Sequence, residues 1–367
     1  MTAGRVVVAM SGGVDSSVAA ALLKAQGHDV VGISMQLYDQ SGAHGRVGSC
    51  CTLDDLHDAR RVAATIGIPH YILNLEQRFE ETVVRNFVGE YAAGRTPLPC
   101  AHCNSDLKFS TLVDRAAGFD AAVVATGHYA RVGRRADGRW LLRRGADPDK
   151  DQSYFLFALT QAQLAQALFP VGDLSKADVR ATAQALGLGV ADKPDSQEIC
   201  FVPSGDYAAF VETRAPEAAT EGPIVDTAGR QLGTHGGIHR FTVGQRKGLG
   251  LSGPAPLYVL KLEPASGTVV VGDRTALDQT GLTASGVNWI SMESPTGWTP
   301  VTAQIRHRHR AAPARVRAAG EGRAELAFDE PQAAITPGQA VVFYDGDVVV
   351  GGGWIDAATA ASVSTAH

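Results

Sequence analysis

The stretch AMSGGVDSSVAAALLKAQG, residues 9 to 27, decides the fold of this chain. An apolar run ends at Met10, the turn Ser11 to Gly13 follows, and a helical pattern begins at once. Glycines let the backbone approach an anion closely, and the N–H groups and dipole of a helix start point at that anion. Serine hydroxyls add donors, and Asp15 is a candidate ligand for a Mg²⁺ ion that bridges phosphates. The stretch predicts a phosphate-binding loop.

The order of residues in this loop separates it from the commonest nucleotide motifs. No GK[ST] follows the glycines, as a Walker loop requires, and the GxGxxG fingerprint is absent. The order SGGVDS after a strand resembles the PP-loop of ATP pyrophosphatases, which cleave ATP between its α and β phosphates. The alternative is a tight strand-to-helix turn with Asp15 as the helix cap.

Apolar runs and helical segments alternate over the first 190 or so residues, which predicts an α/β domain with a parallel sheet covered by helices. RVVVAM (5 to 10), VVGISM (30 to 35) and AAVVAT (121 to 126) are the predicted strands that matter most. Helices are predicted at 52 to 67 and 175 to 187, the second with a capping box at its start.

Short alternating β-rich runs and frequent glycines replace helices beyond about Gly205. In QAVVFYDGDVVV, Asp345 and Gly346 between two such runs indicate a hairpin. We therefore predict three domains: an adenine nucleotide alpha hydrolase-like PP-loop domain at 1–205, a small central mixed domain at 206–283 and a C-terminal β-barrel at 284–367.

The composition fits a globular protein, with 367 residues, 45% apolar and 19% charged, and a net charge of −5. The sequence has no run of 18 apolar residues, and neither a membrane span nor a signal peptide is expected. Five cysteines, at positions 50, 51, 100, 103 and 200, are too few for a secreted disulfide framework, which predicts a cytoplasmic protein. Two basic stretches, 131–150 and 301–323, are candidate nucleic-acid surfaces.

Cys100 and Cys103 form a CxxC pair in TPLPCAHCN. Such a pair serves as a redox couple, as half of a metal site, as a nucleophile with a neighbour, or as core thiols, and spacing alone does not choose among them. Cys50 and Cys51 lie just before a predicted helix, and a structural or accessory role is expected for both.

Five further stretches, GRTPLPCAHCNSDLKF, ATGHYAR, KDQSYFL, DSQEICFVP and FTVGQRKGLG, occur in this order. Together with the phosphate loop they resemble the tRNA 2-thiouridylase family, and the resemblance extends to PGQAVVFYDGD near the C-terminus. It implies a tRNA-uridine 2-sulfurtransferase that uses ATP with Mg²⁺ to adenylate the C2 oxygen of the wobble uridine, then transfers sulfur with release of AMP and pyrophosphate. The implied partners are the tRNAs for Lys, Glu and Gln and a sulfur donor, a cysteine desulfurase or a sulfur carrier protein, with no membrane involved.

The resemblance also implies roles for individual residues. Cys103 matches the nucleophile, and Cys200 matches the thiol that carries a persulfide and ends in a disulfide with Cys103. The implied ATP-binding positions are Ala9, Met10, Ser11, Gly12, Gly13, Val14, Asp15, Ser16, Met35 and Gly127. The implied tRNA-binding positions are Leu98, Pro99 and Cys100 at the target base, together with His128, Lys150, Asp151, Gln152, Arg306, His307 and Gln339.

The chain departs from the best-known family pattern at one point, because it carries TPLPC where relatives carry TPNPD. Cys100, Cys103 and Cys200 together would suit a [4Fe-4S] cluster with one open iron, so the same reaction with such a cluster is an alternative, and a zinc ion with His102 is a further one. A working Cys103 needs a lowered pKa, for which Lys108, His102 or a helix start at Asn104 are candidates. A non-catalytic tRNA-binding protein, and an enzyme that amidates or ligates a small molecule, are the alternative functions.

Overall fold

The structure, a computed structural model, describes residues 4–38, 52–195, 199–202, 205–253 and 255–360. Cys50 and Cys51 lie outside these ranges. The chain divides into two compact units. The first comprises Met1–Val84, Cys100–Gly205 and Asp347–Val349, and the second comprises Arg85–Pro99, Asp206–Gly346 and Val350–His367. Within the described ranges, no helix has both the length and the apolar character that a membrane crossing requires.

A five-stranded parallel sheet forms the centre of the first unit. Its order is β3-β2-β1-β4-β7, and every neighbouring pair runs parallel. The central strand is buried on both faces, as its continuous run of valines requires. The strands are β1 (Arg5–Ala9), β2 (Asp29–Gln36), β3 (His70–Asn74), β4 (Val123–Ala125) and β7 (Ala167–Leu168).

Helices cover this sheet, and their ends follow the predicted capping residues. Thr52 and Asp55 form a capping box at the start of the second helix, which ends at Gly67 in a left-handed conformation. The predicted box of Ser175 and Asp178 is also present. The helices of the first unit include α1 (Val14–Ala25), α2 (Leu53–Ile66), α3 (Glu76–Phe79), α6 (Ser110–Gly118), α7 (Gln161–Gln166) and α8 (Lys176–Ala185). Helix α4 (Arg85–Ala92) lies in the second unit. Helix α5 (Pro99–His102) begins at Pro99, which is the last residue of the second unit's segment Arg85–Pro99.

Two π-helical segments interrupt the helices, at Glu80–Val84 and at Cys103–Phe109. The hairpin β5 (Ala130–Arg134) and β6 (Trp140–Arg144) follows the fourth strand and was not predicted. The core of the first unit packs the sheet against α1, α2 and α8.

The second unit begins its β-rich part with α9 (Tyr207–Arg214) and a four-stranded sheet of order β10-β11-β8-β9. The strands of this sheet are β8 (Gly222–Val225), β9 (Gln231–His235), β10 (Tyr258–Glu263) and β11 (Thr268–Gly272). Ile224, Val259 and Val269 are fully buried and form its own small core.

A closed antiparallel barrel follows. Its order is β12-β15-β14-β13-β16-β17, and β12 pairs with β17 to close it. Gly346, at φ +57°, makes the predicted turn between the last two strands. The strands are β12 (Asp278–Trp289), β13 (Thr299–Gln304), β14 (Ala312–Ala318), β15 (Arg323–Ala333), β16 (Ala340–Asp345) and β17 (Val348–Thr359). The predicted fold class, a parallel α/β sheet with a small mixed domain and a C-terminal β-barrel, is confirmed.

Candidate functional site

The phosphate loop joins β1 to α1 in a turn that only glycine permits. Gly12 has φ +77°, and a Cβ atom there would lie 2.1 Å from the carbonyl oxygen of Asp55. Gly13 is the N-cap of α1, and no side chain caps that end. The first amides of the helix are therefore left to an outside acceptor, as an anion site requires. The alternative in which Asp15 caps the helix is wrong.

Serine hydroxyls hold the loop in shape. Ser17 Oγ donates to the carbonyl oxygen of Gly13 at 2.8 Å and Ser16 Oγ does so at 3.2 Å. Ser11 N donates to Ser16 Oγ at 3.1 Å, which closes the turn. Ser17 is fully buried and Ser11 is exposed, so Ser11 is the serine placed to meet a ligand.

Met35 lies near the carboxyl end of β2, and Gly127 follows the carboxyl end of β4, the neighbour of β1 in the parallel sheet. A Cβ atom on Gly127 would be 2.5 Å from Ser16 N, so the chain after β4 lies directly against the start of α1. Met35 is buried near the end of β2, and Met10 N donates to Ile33 O on the same strand. Ligands of such sheets bind at this edge. The loop, with its uncapped amides and its two glycines, fits the phosphates of ATP.

Asp15, the predicted Mg²⁺ ligand, is engaged by other side chains. Its Oδ1 accepts from Tyr129 Oη and from Lys176 Nζ, both at 2.7 Å. Burial, together with the neighbouring Asp15 carboxylate, raises the pKa of Tyr129 far above its usual value, so the phenol stays a donor. In the described part of the chain no three His, Cys, Asp or Glu side chains are grouped to hold a metal ion. A Mg²⁺ ion here would depend on Asp15 and phosphate oxygens, a ligand set that Mg²⁺ accepts.

Lys193, which was not predicted as a site residue, contacts the phosphate loop from a distant part of the chain. Its ammonium group donates to Gly12 O at 3.0 Å, to Asp55 Oδ1 at 2.5 Å and to Asp58 Oδ2 at 2.6 Å. Burial opposes the charge on Asp58, but hydrogen bonds from Lys193 and Arg61 outweigh it and hold its pKa below the usual value. All three donors of the ammonium group have acceptors, so this contact fixes the loop.

Asp195 forms a second cluster beside the loop. It accepts from Lys176 and from Lys150, each at 2.7 Å, and Lys176 also binds Asp15. Burial opposes its ionisation, but the two lysines outweigh this and keep the pKa of Asp195 below the usual value. Lys193 and Asp195 thus tie the chain that leads to Cys200 to the phosphate loop.

Cys103 is buried and begins the π-helical segment Cys103–Phe109. Helical structure runs without a break from Pro99 to Gly118, so the predicted helix start at Asn104 is wrong. Gln163 Nε2 donates to Ser105 O at 3.0 Å, which satisfies a carbonyl of the widened turn. π-helical turns of this kind are frequent at functional sites.

The other residues proposed to tune Cys103 have partners of their own. His102 Nδ1 bonds Asp106 Oδ2 at 2.8 Å. Burial opposes ionisation of Asp106, but bonds from His102 and Ser105 outweigh it and lower its pKa. The charge of Lys108 acts on His128.

Cys200 is half-buried, and its neighbour Phe201 packs edge-on against Phe79 at 5.3 Å between ring centroids. Arg78, next to Phe79, donates to Ser110 Oγ at 2.8 Å on the helical stretch that carries Cys103. The two chain segments that carry Cys103 and Cys200 therefore both contact the short helix α3. Cys100, by contrast, is exposed. Among the described residues, Cys100, Cys103 and Cys200 do not form a group of three side chains that could hold a metal ion.

His128 is a neutral side chain in this structure. It stacks on Phe109, meets Phe169 edge-on, and shares a hydrogen bond of 2.7 Å with Thr126 Oγ1. Burial, and then the charge of Lys108, lowers its pKa to about 3. A contact from His128 to RNA would be a neutral one.

The side chains of Lys150, Asp151 and Gln152 are engaged within the first unit. Asp151 accepts from Arg144, from the amides of Gly145 and Ser153, and from the Ser153 hydroxyl. Gln152 Oε1 accepts from the amide of Tyr129 at 2.9 Å. The Lys150 side chain remains part-exposed in its ion pair with Asp195.

The second unit holds the other predicted tRNA positions. Gln339 Nε2 donates to the carbonyl oxygens of Thr96 and Pro97, each at 3.1 Å, and so fixes the TPLP segment. Leu98 and Pro99 are buried in this segment. Arg306 and His307 are exposed after β13, where Arg306 donates to Ala333 O.

The two basic stretches differ in how much charge they leave exposed. In 131–150, five of the seven cations have carboxylate partners: Arg131, Arg135, Arg143, Arg144 and Lys150. In 301–323, Arg317 pairs with Glu325. Four others are exposed and form no ion pair with any described residue: Arg308, Arg310, Arg315 and Arg323. The barrel stretch therefore keeps the stronger positive surface.

Three family models match consecutive parts of the chain. A tRNA methyl transferase HUP domain matches residues 4–204, a tRNA methyl transferase PRC-barrel domain matches 208–273, and an aminomethyltransferase beta-barrel domain matches 279–355. These matches agree with the observed order of parallel sheet, small mixed sheet and barrel.

Curated relatives match over nearly the whole length. The tRNA-specific 2-thiouridylase MnmA of Geotalea uraniireducens is 53% identical, over 99% of this chain and 98% of its own. The protein of the same name from Solibacter usitatus is 54% identical, over 96% of this chain and 99% of its own. A solved NMN synthetase from Francisella tularensis is similar at a TM-score of 0.33 and 15% identity, covering 59% of this chain and 78% of that one.

Proposed function

Because the chain belongs to the tRNA-specific 2-thiouridylase family, we propose that it replaces the C2 oxygen of the wobble uridine of tRNA by sulfur in an ATP-dependent reaction. The observation that carries the proposal is the pairing of two features in the first unit. One is a phosphate loop with an uncapped helix start, and the other is a buried Cys103 on a π-helical turn. A protein that only bound tRNA would need neither feature.

The first step activates the uracil, because its carbonyl oxygen is a poor leaving group. The C2 oxygen attacks the α phosphorus of ATP, and pyrophosphate leaves. The loop amides and the dipole of α1 stabilise the charge that develops on the phosphates. Mg²⁺, held by Asp15 and phosphate oxygens, would neutralise part of that charge. Lys193 keeps Gly12 in place during this step.

The second step transfers sulfur from Cys200. The terminal sulfur of a Cys200 persulfide attacks C2 of the adenylated base, and AMP leaves with the original oxygen. The thiolate of Cys103 then attacks Sγ of Cys200. The S–S bond to the product breaks, thiouridine is released, and a Cys103–Cys200 disulfide forms. A dithiol reductant restores both thiols, and a sulfur donor, a cysteine desulfurase or carrier, reloads Cys200.

A [4Fe-4S] cluster on Cys100, Cys103 and Cys200 is the alternative sulfur centre. The persulfide route is favoured because, among the described residues, these three thiols are not grouped to hold a metal ion. Anaerobic purification followed by iron and sulfide analysis separates the two readings. Active protein without iron supports the persulfide route, whereas activity that tracks iron content excludes it.

Mass spectrometry of tRNA tests the proposal directly. The protein is incubated with ATP, Mg²⁺, tRNA for Lys, Glu or Gln, a cysteine desulfurase with its cysteine substrate as sulfur donor, and a dithiol reductant, and the nucleosides are then analysed. Thiouridine at the wobble position, with AMP formed in equal amount, is the expected result. Bound tRNA with no AMP and no thiouridine would instead indicate a non-catalytic binder. AMP formation without tRNA would indicate an enzyme that acts on a small molecule.

A further inference from the structure

The motif FTVGQRKGLG forms a tightly braced turn in the second unit, and no role has yet been assigned to it. Gln245 braces the turn from inside. Its Oε1 accepts from the amide of Thr242 at 3.0 Å, and its Nε2 donates to Lys247 O at 2.9 Å. The backbone amide of Gln245 also donates to Thr242 O. The side chain of Gln245 thus fixes the backbone of the turn on both sides of itself, at Thr242 and at Lys247.

The turn is also fastened to strand β10. Gly244 N donates to Val259 O at 2.8 Å, and Val259 N donates to Gln245 O at 3.0 Å. Gly244 and Gly248, on either side, have φ values of +88° and +76°. A backbone held at both ends in this way presents its outer side chains in a defined direction.

Arg246 and Lys247 are those outer side chains, and both are exposed. Neither forms an ion pair or hydrogen bond with a described residue through its side chain. Three other exposed cations between residues 206 and 283 form ion pairs: Arg230 with Asp226, Lys261 with Glu263 and Arg274 with Asp278. The turn therefore carries two adjacent positive charges that no side chain in the described part of the chain neutralises.

The position of the turn indicates the anion that these charges meet. Thr242 Oγ1 is 3.3 Å from Thr96 Oγ1, and Thr96 begins the TPLP segment. Gln339 fixes the same segment through Thr96 O and Pro97 O. One hydrogen bond, between Thr96 and Thr242, therefore joins the turn that carries Arg246 and Lys247 to the segment expected at the target base.

We propose that Arg246 and Lys247 bind backbone phosphates of the tRNA beside the target uridine. This inference rests on the proposed function, since it takes the RNA as the substrate. The guanidinium fork of Arg246 suits a phosphate in two-point contact, and Lys247 adds a compact charge. Phosphate contacts carry no sequence information but fix the register of the nucleic acid. Here they set which nucleotide reaches the TPLP segment.

The test is a salt titration of tRNA binding with matched variants. Arg246→Ala/Lys247→Ala removes the two charges of the turn, and Arg230→Ala/Lys261→Ala removes two charges that already have carboxylate partners. The slope of log Kobs against log salt should fall by about one per lost contact in the first variant and should stay unchanged in the second. The charge-conserving Arg246→Lys/Lys247→Arg variant should restore most of the slope. Stabilisation by ATP should be unaffected in all of them.

The outcomes separate this inference from the function that it rests on. If the protein thiolates tRNA and both alanine variants keep the salt slope of the wild type, the inference is overturned and the proposed function is not affected. Wild-type protein that binds tRNA with the expected slopes but forms no thiouridine would overturn the function and leave the phosphate site standing. Loss of slope in both alanine variants alike would show a general charge effect and would also overturn the inference.

Discussion

Lys193 Nζ lies 3.0 Å from the carbonyl oxygen of Gly12, so one ammonium group joins the chain that leads to Cys200 to the backbone of the phosphate loop. The same group neutralises Asp55 and Asp58 of α2. Asp55 in turn caps α2 and lies against Gly12. Three parts of the site are therefore held by a single side chain, and its loss has a predictable effect.

Lys193→Met keeps the length of the side chain and removes its charge. We expect the free energy of unfolding to fall by roughly 1–3 kcal/mol, because Asp55 and Asp58 lose a half-buried donor. We also expect a higher KM for ATP, because the loop loses its tie. Chemical denaturation and AMP formation at several ATP concentrations measure both effects. Lys24→Met, at the exposed end of α1, is the matched control and should change neither quantity.

The pH dependence of the stability of Lys193→Met follows from the Asp58 carboxylate. The folded-state pKa of Asp58 is lowered, so its contribution to stability is complete above the unfolded value of 3.8 and is lost as the pH falls through the folded pKa. In Lys193→Met this contribution is reduced, and the loss of stability below about pH 4 should be shallower than in the wild type. An identical acid limb in the two proteins would contradict the role given to Lys193.

Gly127→Ala tests the approach of the fourth strand to the helix start. The added Cβ would lie 2.5 Å from Ser16 N and 2.6 Å from the carbonyl carbon of Asp15, both backbone atoms that cannot turn away. The start of α1 must shift, so the rise in melting temperature on adding ATP should be largely lost. Gly133→Ala, on β5 with no atom within 4 Å of the new Cβ, should keep that rise. A full ATP-dependent rise in Gly127→Ala would exclude Gly127 from the nucleotide site.

Much of this arrangement could be predicted from the sequence because it depends on local rules. The run of valines before SGGVDS predicts a buried parallel strand, the paired glycines predict the turn, and Thr52 predicts the start of α2. The YDGD hairpin follows from the same kind of rule. The family resemblance supplied the cysteine roles, which spacing alone left open.

The missed features depend on residues far apart in the chain. Lys193 binds carboxylates 138 and 135 residues away, and no local pattern predicts that pairing. The π-helical segment at Cys103 is completed by Gln163, 58 residues from Ser105. The hairpin of β5 and β6 was interpreted as a basic stretch, although its ADGR turn carries the ordinary signal.

His128→Asn tests whether this residue meets RNA as a neutral group. Since the folded-state pKa is lowered to about 3 while the unfolded value is 6.5, the native protein loses stability as the pH falls from 6.5 towards 3. Removing the titrating group should make the stability of the variant less sensitive to pH across that window. Between about pH 5 and 8, the pH dependence of tRNA affinity should be the same in the wild type and in the variant. A change in affinity over this range that occurs in the wild type and not in the variant would mean that His128 is charged in the complex.

Serine substitutions of the three cysteines test their unequal roles. Cys103 is buried on the π-helical turn and Cys200 is held through Phe201 against α3, whereas Cys100 is exposed. Cys103→Ser and Cys200→Ser should each abolish thiouridine formation while tRNA affinity stays within a few-fold of the wild type. Cys100→Ser and Cys100→Asp should keep most of the activity, because the persulfide route uses only two thiols. Activity that requires Cys100, together with iron in the purified protein, would contradict the two-thiol route and favour a three-cysteine cluster.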